Sequence, residues 1–342
     1  MEGIDSYGYA PGDWLSIGPA QISACGLKPW LDGMRLGLDA TRQLSVHVRA
    51  TNLTSEDVKD IEEFICAFPN VYALYLHMCH LEDDSLVHII RLIQNKPLQS
   101  LWLTDNLFTP QGIAQLANGL HGTKLRKLTL DNNYVGSAGC AALARAIPKS
   151  NLAWISLEGC NLQVKDMCAI LKASRNSKIE FLDLSQNFLG TKLGMRNVNR
   201  LLANNNGRLE YLQMRDCGIT NSGLGIIAPG VAKSRGLIEL NINFNPKVAI
   251  KSVERMLDII EYHPSLEDVN VFGCSGYSGL YTGVYMDPVA RRIDLWRRAR
   301  FMIAMVSARV IERIGCKSIL AIFPIDLFRA LKVMLGDHMV DN

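Results

Sequence analysis

The stretch Leu98-Gln99-Ser100-Leu101-Trp102-Leu103-Thr104-Asp105-Asn106-Leu107-Phe108 decides the fold. Leu101 and Leu103 alternate with polar or aromatic neighbours, the period of a short strand with one buried face. Asn106 then stands where the chain must turn out of that strand. A buried carboxamide there can bond the backbone groups that the turn leaves unpaired, each bond contributing roughly 1 kcal/mol net. The next twelve residues, Thr109 to Leu120, place Ile113, Leu116 and Leu120 at helical spacing.

The same five positions recur along the chain. Downstream copies are Leu125, Leu128, Leu130, Asn133, Val135; Leu152, Ile155, Leu157, Cys160, Leu162; and Ile179, Leu182, Leu184, Asn187, Leu189. Further on come Leu209, Leu212, Met214, Cys217, Ile219; Leu237, Leu240, Ile242, Asn245; and Leu266, Val269, Val271, Cys274. Upstream lie Val71, Leu74, Leu76, Cys79, Leu81 and a degenerate copy with Val46, Val48 and Leu53, where Gln43 takes the leading place. Nine starts at 43, 71, 98, 125, 152, 179, 209, 237 and 266 give intervals of 27 to 30 residues. Repeats of this length stack into a solenoid with one continuous core. At the ladder position Cys is expected to act as a mostly apolar filler in place of Asn.

Each second half reads as a helix. Val58, Ile61, Phe64 and Ile65 have its spacing, as do Leu86, Ile89, Ile90 and Ile93, or Val253, Met256, Leu257 and Ile260. Gly112, Gly139 and Gly223 recur near helix starts, and Asn95-Lys96-Pro97 or His263-Pro264-Ser265 separate helix from strand. A unit of 27 to 30 residues with a true helix resembles the ribonuclease-inhibitor-like class of leucine-rich repeats. The resemblance covers about residues 43–280, and Thr109–Leu120 is similar to that family's helical half. It implies an α/β horseshoe with parallel strands on the concave face and helices on the convex face. It also implies protein–protein binding. The expected layout is an N-terminal cap over 1–42, nine repeats over 43–286, and an α-helical C-terminal cap or F-box-like segment over 287–342.

The strand residues between the leucines face the inner curve. The first such column holds Trp154, Phe181 and Tyr211 on successive repeats, and the second holds Tyr75 and Trp102. Aromatic side chains of this kind anchor interfaces; they can equally support the ladder by packing on one another. Asp131, Glu158, Asp183, Glu239 and Asp268 outnumber Lys127 and Arg215 in these slots. The expected partner-binding set is therefore Tyr75, Trp102, Asp131, Trp154, Glu158, Phe181, Asp183, Tyr211 and Arg215. The partner would be a protein with a basic, partly apolar surface.

Composition bounds the alternatives. Over 342 residues, 48% are hydrophobic and the formal net charge is +3. So small an excess gives no reason to expect nucleic acid or a membrane surface, and no apolar run is long enough to span a bilayer. Nine cysteines form no Cys-x-x-Cys pair, and the N-terminal MEGIDSYGYAPGDW has no secretory pattern, which suits a cytoplasmic or nuclear setting. Phosphate-loop, Gly-x-Ser-x-Gly and His-Glu-x-x-His motifs are absent, so no enzyme activity, cofactor, metal or small-molecule substrate is expected. Ran GTPase-activating proteins share this repeat class but carry a long acidic tail, unlike His338-Met-Val-Asp-Asn342.

After about Asp287 the pattern changes. Val289, Ile293, Trp296, Ile303, Val310 and Ile314 follow helical spacing among Arg291, Arg292, Arg297, Arg298 and Arg300. Such a helix can close the open end of a solenoid, or offer a nuclear-import or phosphate-binding patch. Pro324, Asp326, Leu327, Leu331 and Leu335 resemble the opening helix of an F-box. That resemblance implies a second role, a substrate adaptor in which Pro324, Leu327, Leu331 and Leu335 recruit a ubiquitin-ligase subunit. Capping by the same helix stays open beside it.

Overall fold

The structure is a computed structural model that describes residues 13–20, 22, 26–35, 43–68, 70–260, 263 and 265–274. The segment from 287 onward, with Pro324, Leu327, Leu331 and Leu335, lies outside the described residues.

Among the described residues ten strands form one parallel sheet in sequence order. They are β1 (Asp13–Ile17), β2 (Leu44–Arg49), β3 (Val71–His77), β4 (Ser100–Trp102), β5 (Lys127–Thr129), β6 (Trp154–Ser156), β7 (Phe181–Asp183), β8 (Tyr211–Gln213), β9 (Glu239–Asn241) and β10 (Asp268–Asn270). Helices follow them: α1 (Leu27–Arg35), α2 (Ser55–Ala67), α3 (Leu86–Asn95), α4 (Pro110–Gly119), α5 (Gly136–Ala146), α6 (Val164–Ser174), α7 (Lys192–Asn204), α8 (Asn221–Lys233) and α9 (Ile250–Ile260). Strands pack about 4.8 Å apart and helices roughly 8–10 Å apart. A stack that alternates them must curve, with the strands inside.

From β4 to β9 the register is uniform: Leu101, Leu128, Ile155, Leu182, Leu212 and Leu240 are cross-strand partners in turn. These side chains, with the other consensus leucines, make one buried core that runs the length of the stack. Asn106 shows how each turn is closed. Its Nδ2 donates to the Leu76, Leu103 and Thr104 carbonyls at 2.8–3.2 Å, while Oδ1 accepts from Cys79 N and Leu81 N. Asn245 repeats the same five bonds at the other end of the sheet.

The ladder cysteines correct the expectation of an apolar filler. Cys160 Sγ donates to Leu130 O at 3.2 Å, and Cys217 Sγ to Leu184 O at 3.3 Å, the carbonyls that an Asn would reach. Burial pushes the Cys217 thiol up to about 12 and Cys79 up to about 11, so both stay protonated donors at neutral pH.

The residue before each ladder position is left-handed. Met78, Asp105, Asn132, Gln186, Asp216 and Phe244 all have φ between 47° and 57°, and Gly159 and Gly273 occupy the same place. Thr109, Thr191 and Thr220 cap α4, α7 and α8 by accepting from the N–H of Gly112, Gly194 and Gly223. A Cβ on Gly112 would fall 2.8 Å from Leu86, so the recurring glycine lets successive helices approach closely.

The sheet extends into the N-terminal end. β1 pairs with β2 in register, Leu15 with Val46 and Ile17 with Val48, and Leu27 and Leu31 of α1 are buried. The stretch expected as a cap contributes a further strand and helix that lack the leucine motif.

Candidate functional site

Three side-chain columns cross the inner face, one for each outward strand position. In the first, Trp154 and Phe181 stack with ring centroids 3.4 Å apart and planes 6° from parallel. Tyr211 continues the stack at 6.2 Å and a 35° tilt, and Lys127 Nζ lies 5.1 Å from the Trp154 centroid on the other side. Strand spacing explains the order: parallel in-register strands put equivalent side chains at stacking distance. All three rings are half-buried, with the Trp154 indole nitrogen buried and unpartnered.

The second column is not the open row that alternation implies. Tyr75 is only 6% exposed because it is stacked between His47 at 3.9 Å and Trp102 at 5.3 Å. Tyr75 therefore supports the sheet, and Trp102 is the half-buried end of that stack. Thr129 and Ser156 are buried as well, which makes them the floor between the first and third columns.

The third column carries the charges. Asp131 Oδ1 accepts from Ser156 Oγ at 2.6 Å and Glu158 N at 2.9 Å. Glu158 Oε1 accepts from Arg215 Nη2 at 2.9 Å and from Gln186 Nε2 at 2.6 Å. Asp183, from the second column, accepts from Ser185 N at 2.8 Å. Burial pushes the Asp131 carboxyl up to about 7, with Asp183 and Glu158 adding to it against the pull of Ser156. Burial likewise raises Asp183 to about 6. The inner face thus carries less negative charge at neutral pH than its acidic residues suggest.

Residues of all three columns gather into one patch: Trp154, Phe181 and Tyr211 of the first on one side, and Asp183 of the second with Asp131, Glu158 and Arg215 of the third on the other. The patch spans β5–β8. A further set falls outside the strand slots, apart from Phe272, which holds the third slot of its repeat. Met78, Leu107, Tyr134, Phe188, Phe244 and Phe272 are exposed, Tyr134 and Phe188 by 61%, and all lie on the edge where strands exit. The Phe188 ring rests on Gly218, where a Cβ would fall 2.6 Å from it. Reading the residue after each ladder Asn as its own column finds Leu107, Tyr134 and Phe188.

Residues 208–228 match a family model described as Leucine Rich repeat. The ribonuclease inhibitor of Sus scrofa is 29% identical over 201 residues, 56% of this chain and 43% of that protein. The ribonuclease inhibitor of Mus musculus is 26% identical over 216 residues, 60% of this chain and 47% of that protein. The repeats are leucine-rich repeats of the ribonuclease-inhibitor-like class. The match spans less than half the length of these curated relatives. Among solved structures, the leucine-rich repeat-containing protein LegL7 of Legionella pneumophila has a similar fold. Its TM-score is 0.53 at 13% identity, covering 83% of this chain and 89% of that one. In this leucine-rich-repeat chain no group of three or more His, Cys, Asp or Glu is placed to hold a metal among the described residues. No described helix is long and apolar enough to cross a membrane.

Proposed function

We propose that this chain is a protein-binding scaffold whose partner lies across β5–β8 and the adjoining strand-exit edge. The carrying observation is the Trp154–Phe181–Tyr211 stack, half-exposed beside a row of hydrogen-bonded charges. Large rings already ordered by their neighbours lose little conformational freedom on binding, the property that makes Trp and Tyr interface anchors. Tyr134 and Phe188 extend the apolar surface along the edge. The pig and mouse relatives are named as inhibitors of a ribonuclease, a protein target, which supports the same class of ligand here.

A basic group on the partner would be attracted to Asp131 and Asp183. Its positive charge would favour the ionised form that burial disfavours, and so draw both carboxyls down. Affinity capture with the intact protein and with Trp154→Ala/Tyr211→Ala tests the reading. The variant should melt somewhat lower but still cooperatively, remain folded at the temperature of the assay, and lose the captured protein. Unchanged capture by a folded double variant would count against the aromatic column.

A further inference from the structure

The net charge of +3 conceals a sorting of charges that the fold creates. Five successive loops lead from a helix into the next strand, between α4 and β9. They carry Lys124 and Arg126, then Lys149, Lys178, Arg208 and Arg235, all exposed. These positions are far apart in sequence and become neighbours only when the strands stack. Their acidic neighbours are Glu180, which approaches Arg126 at 3.9 Å, and Glu210. Among the described residues Lys124, Lys149, Arg208 and Arg235 make no ion pair. The opposite edge of the same repeats mixes Lys165, Lys192 and Lys247 with Asp105, Asp166 and Asp216.

Helix ends do not account for the row. Each helix C-terminus carries about −0.5 charge and attracts a cation to its last turn. Arg145 of α5, Lys172 of α6 and Lys233 of α8 already stand in those last turns. Lys149 likewise ends the short 3-10 turn Ile147–Lys149, and the other five cations come in addition. A shallow cleft of about 350 Å³ opens between the ends of α4 and α5, lined by Asn118, His121, Arg145 and Lys149 with Ala117 and Ala146. Its donors suit an oxyanion such as a phosphate.

We propose that this strand-entry edge docks on an anionic bilayer surface. In-register parallel strands bring their loops to one level, so the cations form a row along a rim and not the wall of a groove. Four strand spacings make that row about 19 Å long. Large apolar side chains, which a single-stranded nucleic acid would need for base stacking, are exposed on the opposite edge. Lysine and arginine held at an anionic membrane each strengthen binding roughly fivefold, an attraction that salt screens.

Co-sedimentation of the full chain with phosphatidylcholine vesicles, with and without phosphatidylserine, tests this. The intact protein should bind only the phosphatidylserine vesicles, and less as salt rises. Lys124→Glu/Lys178→Glu/Arg208→Glu should weaken binding by roughly a hundredfold or more. Lys165→Glu/Lys192→Glu/Lys247→Glu, with the same net charge, should bind nearly as the intact protein does. Lys124→Ala/Lys178→Ala/Arg208→Ala, a milder set, should show a smaller loss with an unchanged melting transition. The proposal fails if the intact protein ignores phosphatidylserine, or if the two glutamate triples weaken it equally. Tighter binding to a duplex oligonucleotide than to the vesicles would also overturn it, in favour of nucleic acid.

Discussion

Trp154 and Phe181, on adjacent strands, lie face to face with ring centroids 3.4 Å apart. The contact couples two repeats through side chains that project outside the core. A double-mutant cycle with Trp154→Ala and Phe181→Ala should give a coupling of about 0.5–1.5 kcal/mol in urea unfolding. Additive single losses would mean that the rings meet without stabilising one another.

Asp131 makes stability depend on pH. Its carboxyl is raised from 3.8 to about 7 by burial, so the folded state holds the proton more tightly than the unfolded chain. The resulting stabilisation is fully present below about pH 3.8 and is lost as pH rises through about 7. Asp131→Asn keeps an oxygen to accept from Ser156 and Glu158 N but has no charge to bury. The variant should melt above the parent at pH 8 and close to it at pH 4. A lower melting temperature at pH 8 would show that the ionised carboxylate stabilises the face.

The ladder bonds differ in strength between Asn and Cys. Asn106→Ala removes five bonds to buried backbone groups and should cost about 3 kcal/mol or more. Asn106→Cys should recover part of that loss, because Cys160 and Cys217 show that a thiol reaches the same carbonyls. Equal losses for the two variants, measured by chemical denaturation, would make the cysteines passive fillers after all.

Two glycines should respond in opposite directions. Gly159 has φ +65° and lies against the Asn132 carboxamide oxygen, so Gly159→Ala should destabilise by about 1–2 kcal/mol. Gly225, exposed in α8, has open space where a Cβ would go. Gly225→Ala should stabilise by about 0.5–1 kcal/mol through helix propensity. Thermal unfolding of both variants checks the sign.

The periodic leucines made the strands, helices and register legible, because each repeat must bury the same positions against its neighbours. Exposure on the inner face was less legible. Tyr75 and Trp154 occupy outward slots alike, yet Tyr75 is buried by His47 and Trp102 from strands some 27 residues away in either direction. Asp131 likewise counts as a charge in sequence, while burial in the stacked repeats, with Asp183 and Glu158 close by, hinders its ionisation against the pull of its bonds from Ser156 and Glu158 N. Leu15 and Ile17 alternate as a strand should, but without the Asn or Cys ladder residue that marks the units from β3 onward.

The central claim is that a protein partner sits on the inner aromatic column. It is tested most directly by replacing single residues with a photo-reactive benzoylphenylalanine in the intact protein, at Phe181 in β7 and, separately, at Arg196, exposed in α7. After irradiation in cells, the derivative at 181 should form a discrete protein adduct that the derivative at 196 does not. An adduct at 196 with none at 181 would place the binding surface on the helices and contradict the account.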